Sequence, residues 1–215
     1  MIDGPRLPPA SGGPATSLVV FLHGYGADGR DLIEIGRQWA AVLPSTAFVS
    51  PHAPEPCAEA PAGRQWFPLS MRDPAEFWRG ATRAAPVLHS FLDAELERHG
   101  LGADRLALVG FSQGTMMALH VGPRRDARLA GIVGYSGLIA GPDRLASEAR
   151  TLPPVLLVHG DQDPLIPVIA LHQATGALGA AGADVEWHVR PGLAHGIDME
   201  ALELGGVFLR RIFAN

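Results

Sequence analysis

Short apolar runs that end at glycine or proline alternate with longer stretches of helical periodicity, and this alternation restricts the fold of the 215-residue chain more than any other feature. The runs at 18–22, 47–50, 105–109, 131–135, 155–159 and 185–189 are predicted strands. Several are apolar at consecutive positions, the pattern of strands covered by helices on both faces. Helices are predicted at 31–42, 74–98, 113–121, 166–180 and 199–212. In the second of these, Phe77, Ala81, Ala84, Val87, Leu88, Phe91, Leu92 and Leu96 keep the three-to-four spacing of one buried face. The order predicts an α/β chain with a mostly parallel central sheet flanked by helices. A chain of this length is most simply one domain. We place it at 18–215, after a Pro-, Gly- and Ala-rich N-terminal segment, 1–17, expected to be flexible; no internal repeat or second domain is visible.

Within this pattern Gly110-Phe111-Ser112-Gln113-Gly114 follows a strand-like run and precedes an alanine- and methionine-rich helix. G-x-S-x-G between strand and helix is the nucleophile elbow of an α/β-hydrolase, in which a strained turn lifts the serine hydroxyl above the sheet. The glycines leave room where side chains would collide with the neighbouring strand and helix. Serine needs a general base, and the base an orienting acid. In this fold they follow in the order acid, then histidine. The run 155–159 leads into Gly160-Asp161-Gln162-Asp163-Pro164-Leu165-Ile166-Pro167, and the run 185–189 into Pro191-Gly192-Leu193-Ala194-His195-Gly196. Asp163 is preferred to Asp161, because an acid, two residues, an aliphatic and a helix-opening proline form one frame. Asp161 then has the competing role of stabilising the loop through backbone hydrogen bonds. His195 is the only histidine in a glycine-flanked loop downstream of that acid. The other eight (His23, His52, His89, His99, His120, His159, His172 and His188) default to packed or solvated roles.

A tetrahedral oxyanion needs two aimed N–H groups, each worth on the order of 100- to 1000-fold in rate. The N–H of Gln113 is one candidate. The N–H of Tyr25, in the early loop His23-Gly24-Tyr25-Gly26, is the other. Two rival readings use the same stretches. Residues 24–29 match the dinucleotide fingerprint G-x-G-x-x-G, but that motif also needs an acid closing the second strand, and none occurs before Glu55. His159, Asp161 and Asp163 resemble a metal-ligand cluster, but no second cluster with ligand spacing completes a site. The segment 51–72 is predicted to be one long irregular loop, with five prolines, Cys57 and the cluster Arg64-Gln65-Trp66-Phe67. Its aromatics either wall an acyl pocket or anchor the loop to the body.

Bulk properties remove other classes. Apolar residues make up 47% of the chain and charged residues 18%, which describes a globular protein. A net charge of −5 gives no electrostatic reason to expect nucleic acid. The single cysteine, Cys57, excludes an intrachain disulfide and fits a reducing compartment. The N-terminus lacks the pattern of a signal peptide, and the apolar runs are too short to span a bilayer. The expected location is cytoplasmic.

Taken together and in order, HGYG, GFSQG, GDQDPLIP and GLAHG resemble the phospholipase/carboxylesterase family, which includes bacterial carboxylesterases and acyl-protein thioesterases. Ala27-Asp28-Gly29, Arg64-Gln65-Trp66-Phe67 and Tyr135-Ser136-Gly137 add to the resemblance, which runs from about Leu18 to the C-terminus. It implies an α/β-hydrolase without a large lid, Ser112 as nucleophile, Asp163 as acid, His195 as base, and the N–H groups of Tyr25 and Gln113 as oxyanion hole. Leu69, Leu165 and Ile166 are implied acyl contacts beside Trp66 and Phe67. The expected activity is that of a serine carboxylesterase on short to medium acyl chains. Alternatives are a thioesterase or lysophospholipase with the same triad, or a non-catalytic binding protein of the same fold. No metal or organic cofactor is implied. The expected partner is a small-molecule ester, with no nucleic acid, no stable membrane insertion, and a homodimer left open. Tyr25 stands where the family often has leucine, and Pro68 where it often has aspartate, so substrate specificity does not transfer.

Overall fold

The computed structural model describes residues 2–70, 73 and 75–214. Met71, Arg72 and Pro74, on which the expected long loop and second helix touch, lie outside these. In chain order the elements are β1 (Arg6–Leu7), β2 (Ser17–Leu22), α1 (Gly29–Trp39), β3 (Thr46–Val49), β4 (Glu55–Cys57), β5 (Ala60–Gln65), α2 (Ala75–His99), β6 (Leu106–Phe111), α3 (Gln113–Val121), β7 (Gly131–Tyr135), α4 (Leu145–Glu148), β8 (Val155–Gly160), α5 (Ile169–Ala180), β9 (Val185–Arg190) and α6 (Met199–Phe213). Seven strands form one sheet in the order β1-β3-β2-β6-β7-β8-β9. Every pairing in it is parallel except β1 with β3. This is the α/β-hydrolase architecture predicted above, and no lid domain occurs among the described residues.

The consecutive apolar residues of the strands divide between two cores. Leu18, Val20, Leu22, Leu106, Leu108, Ile132, Val155 and Leu157 face one side, with the buried faces of α2, α3 and α5. Val19, Phe21, Ala107, Val109, Val133, Tyr135, Leu156 and Val158 face the other, with α1 and α6. Phe21 stacks on Trp39 and Phe48 at centroid distances of 5.8 and 6.1 Å, and burying such a ring stabilises the fold by about 1.5–3 kcal/mol. Side-chain caps fix where two helices begin. Asp28 accepts from Arg30 N–H at 2.7 Å and starts α1; Asp198 accepts from Ala201 N–H at 2.8 Å and starts α6.

The structure departs from the sequence reading in four places. The N-terminal segment is not free throughout: Arg6 and Leu7 pair with Val49 and Phe48. Arg6 also reaches the buried Glu95 at 2.6 and 3.2 Å, giving that carboxylate the cation it needs away from water. The segment 51–72 is not wholly irregular, since β4 and β5 form an antiparallel hairpin with a register shift between Pro56 and Cys57. The short helix α4 was not anticipated. Helix α5 starts at Ile169 and not at residue 166, because the preceding backbone turns around Asp163.

Candidate active site

The sequence-predicted residues come from three loops that leave the same end of the sheet, after β6, β8 and β9, where ligands of open α/β sheets bind. Ser112 adopts φ 53° and ψ −115°, a conformation that costs a non-glycine residue about 1–3 kcal/mol. A methyl group on Gly110 would sit 2.5 Å from Gly114 and Thr115 backbone atoms, and one on Gly114 would overlap Leu22 O. Ser112 N–H donates to Tyr135 O at 2.9 Å, while Thr115 Oγ1 lies 2.9 Å from both Gly110 O and Tyr135 O. The turn is thereby pinned to both strands beneath it.

Asp163 has a fully buried side chain that takes three hydrogen bonds. Oδ1 accepts from Leu165 and Ile166 N–H, each at 2.9 Å. Oδ2 lies 2.7 Å from His195 Nδ1 and 3.3 Å from His159 Nε2. Burial alone would raise its pKa, but the Ile166 N–H, His195 and the Leu165 N–H together outweigh burial and hold the carboxyl below its usual value. An ionised carboxylate at Nδ1 sets the His195 proton there and leaves Nε2 as the free acceptor. The imidazole packs on Phe111, beside Ser112, at a centroid distance of 5.0 Å.

Asp161 takes the competing role foreseen for it. It is exposed, and its Oδ1 accepts from Gly192 N–H at 2.7 Å, lacing the acid loop to the histidine loop. A methyl on Gly160 would overlap Leu193 O, so the two loops touch along their backbones. Of His159, Asp161 and Asp163, only His159 and Asp163 are neighbours: His159 Nε2 bonds Ile166 O at 2.7 Å, while Asp161 turns away to Gly192. No group of three or more metal-ligating side chains converges among the described residues.

The loop carrying Tyr25 lies against the elbow. A methyl on Gly24 would be 3.1 Å from the Phe111 ring and 3.4 Å from Ser112 Cβ. Buried His23 holds this loop, bonding Gly24 O through Nδ1 at 2.8 Å and accepting Ala53 N–H at Nε2 at 3.0 Å; burial lowers its pKa and keeps it neutral. The β4–β5 hairpin clamps the other side. Gly26 N–H donates to Arg64 O at 2.9 Å and Arg64 N–H to Ala27 O at 2.7 Å, and Gly63 has no room for a side chain against Gly26 O. The half-buried Tyr25 phenol is pushed up to about 12, first by hydrogen bonding with the Cys57 side chain and then by burial.

Of the implied substrate contacts, Trp66 and Phe67 are corrected. Both are fully buried, so they anchor their loop and present no surface to a ligand. The reason is Gln113, whose side chain the sequence reading overlooked. Its Oε1 accepts from Trp66 N–H at 2.9 Å and its Nε2 donates to Phe67 O at 2.7 Å. Ile166 is also buried and serves Asp163 through its backbone. Leu165 is 64% exposed and Leu69 half-buried, so these two keep apolar surface. Phe77, Trp78, Leu138, Ile139 and Ala170, with the charged Arg79, Asp143 and Arg144, line a cavity of about 530 Å³ that the sequence did not disclose.

Comparison with known proteins gives the family. Residues 9–212 match the family model described as Phospholipase/Carboxylesterase. Esterase YpfH of Escherichia coli (strain K12) is 32% identical over 200 residues, covering 92% of this chain and 83% of that protein. Acyl-protein thioesterase 1 of Schizosaccharomyces pombe is 33% identical over 163 residues, covering 72% and 71% respectively. The crystal structure of esterase PE8 superposes with a TM-score of 0.95 at 45% identity, covering 98% of this chain and 99% of that one. The Ser112 elbow, the Asp163–His195 pair and the sheet that carries them therefore belong to a hydrolase, and the chain is a member of the phospholipase/carboxylesterase family of α/β-hydrolases.

Proposed function

We propose that this hydrolase is a carboxylesterase that cleaves short to medium acyl esters through an acyl-serine intermediate. One observation carries the reading: a sealed, ionised Asp163 holds His195 Nδ1 at 2.7 Å, beside a serine kept in a strained turn. Nε2 of His195 takes the Ser112 proton as Oγ attacks the ester carbonyl. Asp163 keeps the tautomer and stabilises the imidazolium that forms. The Tyr25 and Gln113 N–H groups receive the oxyanion. His195 then protonates the leaving alkoxide, and water, deprotonated by the same base, releases the acid and regenerates Ser112. Leu165 and Leu69 supply apolar contact for the acyl chain.

The relatives named acyl-protein thioesterase favour a second reading, thioester hydrolysis, which uses the same acyl-serine. The cytoplasm is the compartment we propose, from the single buried cysteine. No described helix is long and apolar enough to cross a membrane. Hydrolysis of p-nitrophenyl esters from acetate to palmitate, by wild type and Ser112→Ala, tests the proposal. Turnover that peaks at short to medium chains and disappears in the variant is expected. Absence of turnover on every ester, with turnover on acyl thioesters, moves the assignment to the second reading.

A further inference from the structure

Two non-glycine residues of the described chain have positive φ, Ser112 at 53° and Ser136 at 46°. The first is the elbow. The second closes the neighbouring strand β7, is 1% exposed, and has no part in the chemistry above. Serine rarely occupies this region, and glycine would fit it without steric opposition. Residues held in such conformations persist where the surroundings over-determine them, and they collect at functional sites. Here the surroundings are explicit. Ser136 N–H donates to Val158 O at 2.9 Å, and the chain then passes beneath the elbow, where Gly137 lies against Thr115 and Ser112 O.

The side chain shows what the conformation achieves. Ser136 Oγ donates to Gly196 O at 2.9 Å, across sixty residues of sequence, onto the carbonyl of the residue that follows His195. Leu193 O accepts from Gln162 N–H at 3.0 Å, and from Ala194 to Ile197 the histidine loop has two further hydrogen-bond anchors among the described residues: His195 Nδ1 on Asp163, and Gly196 O on Ser136. The Asp163 anchor fixes how the ring is turned; the Ser136 anchor fixes where the main chain places it. Because its hydroxyl proton is engaged and its side chain is buried, Ser136 is not a competing nucleophile.

We propose that Ser136 is a positioning residue for the general base, its left-handed backbone aiming the hydroxyl that holds the His195 loop at the distance needed for proton transfer. This role rests on the Ser112–His195 mechanism proposed above. Displacing a base by as little as an ångström costs rate while leaving ground-state binding intact. Glycine and alanine separate the contributions, since both remove the hydroxyl but only glycine removes the backbone opposition.

The test is kcat and KM on a p-nitrophenyl ester, with the melting temperature, for wild type, Ser136→Gly and Ser136→Ala. Expected is a fall in kcat of roughly tenfold or more in both variants, with KM within about twofold and Ser136→Gly melting above Ser136→Ala. Wild-type kcat in Ser136→Gly would overturn the proposal, because the hydroxyl would then be dispensable. So would a loss of kcat that follows the melting temperature, small in glycine and large in alanine, which is the mark of a purely structural residue. Wild type that turns over no ester or thioester overturns the underlying mechanism, a result distinct from an active wild type matched by its glycine variant.

Discussion

Gln113→Glu replaces one donor by one acceptor with almost no change of shape, and so isolates what the Gln113 amide does. The native Nε2 sits 2.7 Å from Phe67 O, and the side chain is fully buried. An ionised carboxylate there would face a carbonyl oxygen in a dry site, whereas a protonated one restores the hydrogen bond. The substituted carboxyl therefore folds with a raised pKa, against about 4.3 when unfolded. The protonated form is favoured in the folded state, so the penalty relative to wild type is absent below about pH 4.3. It grows by about 1.4 kcal/mol per pH unit above that, until the folded-state pKa is passed. Keeping the group protonated at pH 7 costs about 3.7 kcal/mol, which caps the penalty there. That is a large share of the 5–15 kcal/mol that typically holds a domain folded. Urea unfolding of both proteins from pH 4 to 8, with unchanged m-value, measures the difference. A penalty that is flat across this range, or below about 1 kcal/mol at pH 7, refutes the assignment of Nε2 as the essential donor to Phe67 O.

Asp163→Asn should lower kcat by about 10⁴-fold with little change in KM, since the imidazole loses the partner that sets its tautomer. The carboxyl of Asp163 is depressed in the folded state, so its stabilisation is present above about pH 3.9 and lost as the pH falls through the lower folded value. The stability gap between wild type and Asp163→Asn should accordingly close under acid, read by urea unfolding between pH 7 and 2.5. His120 is 3% exposed, its Nδ1 has no hydrogen-bond partner among the described residues, and burial, then Arg124, lowers its pKa to about 4. Folding keeps it neutral, so wild type should lose on the order of 3 kcal/mol between pH 6.5 and 4 that His120→Leu does not lose. Gly63→Ala forces a methyl onto Gly26 O beside the oxyanion loop, and should reduce kcat by about 100-fold in a steady-state ester assay, with a smaller relative change in KM.

What the sequence disclosed, and what it did not, follows from where the information lies. The strands at 18–22 and 131–135 are legible because burial on both faces demands consecutive apolar residues, whatever lies elsewhere in the chain. The elbow, Asp163 and His195 are legible because their turns need glycines and prolines at fixed offsets. Arg6–Leu7 is not, because its place depends on Glu95, eighty-nine residues away, and on the open edge of β3. The β4–β5 hairpin is masked by Pro54, Pro56 and Pro61, which argue against strands in any local reading. Its purpose becomes visible only where Gly63 and Arg64 meet the Tyr25 loop. Trp66 and Phe67 read equally as pocket wall or anchor, and the deciding partner, Gln113, is distant in sequence. Nothing local marks Ser136 as left-handed.

The central claim is that Ser112 carries a hydroxyl activated by His195. Treatment with a fluorophosphonate, followed by proteolysis and mass mapping of the peptides, tests it most directly. The account predicts one adduct per chain, on Ser112, abolishing ester turnover, and formed far more slowly in His195→Ala. An adduct elsewhere that abolishes turnover, or full turnover with Ser112 blocked, would contradict it.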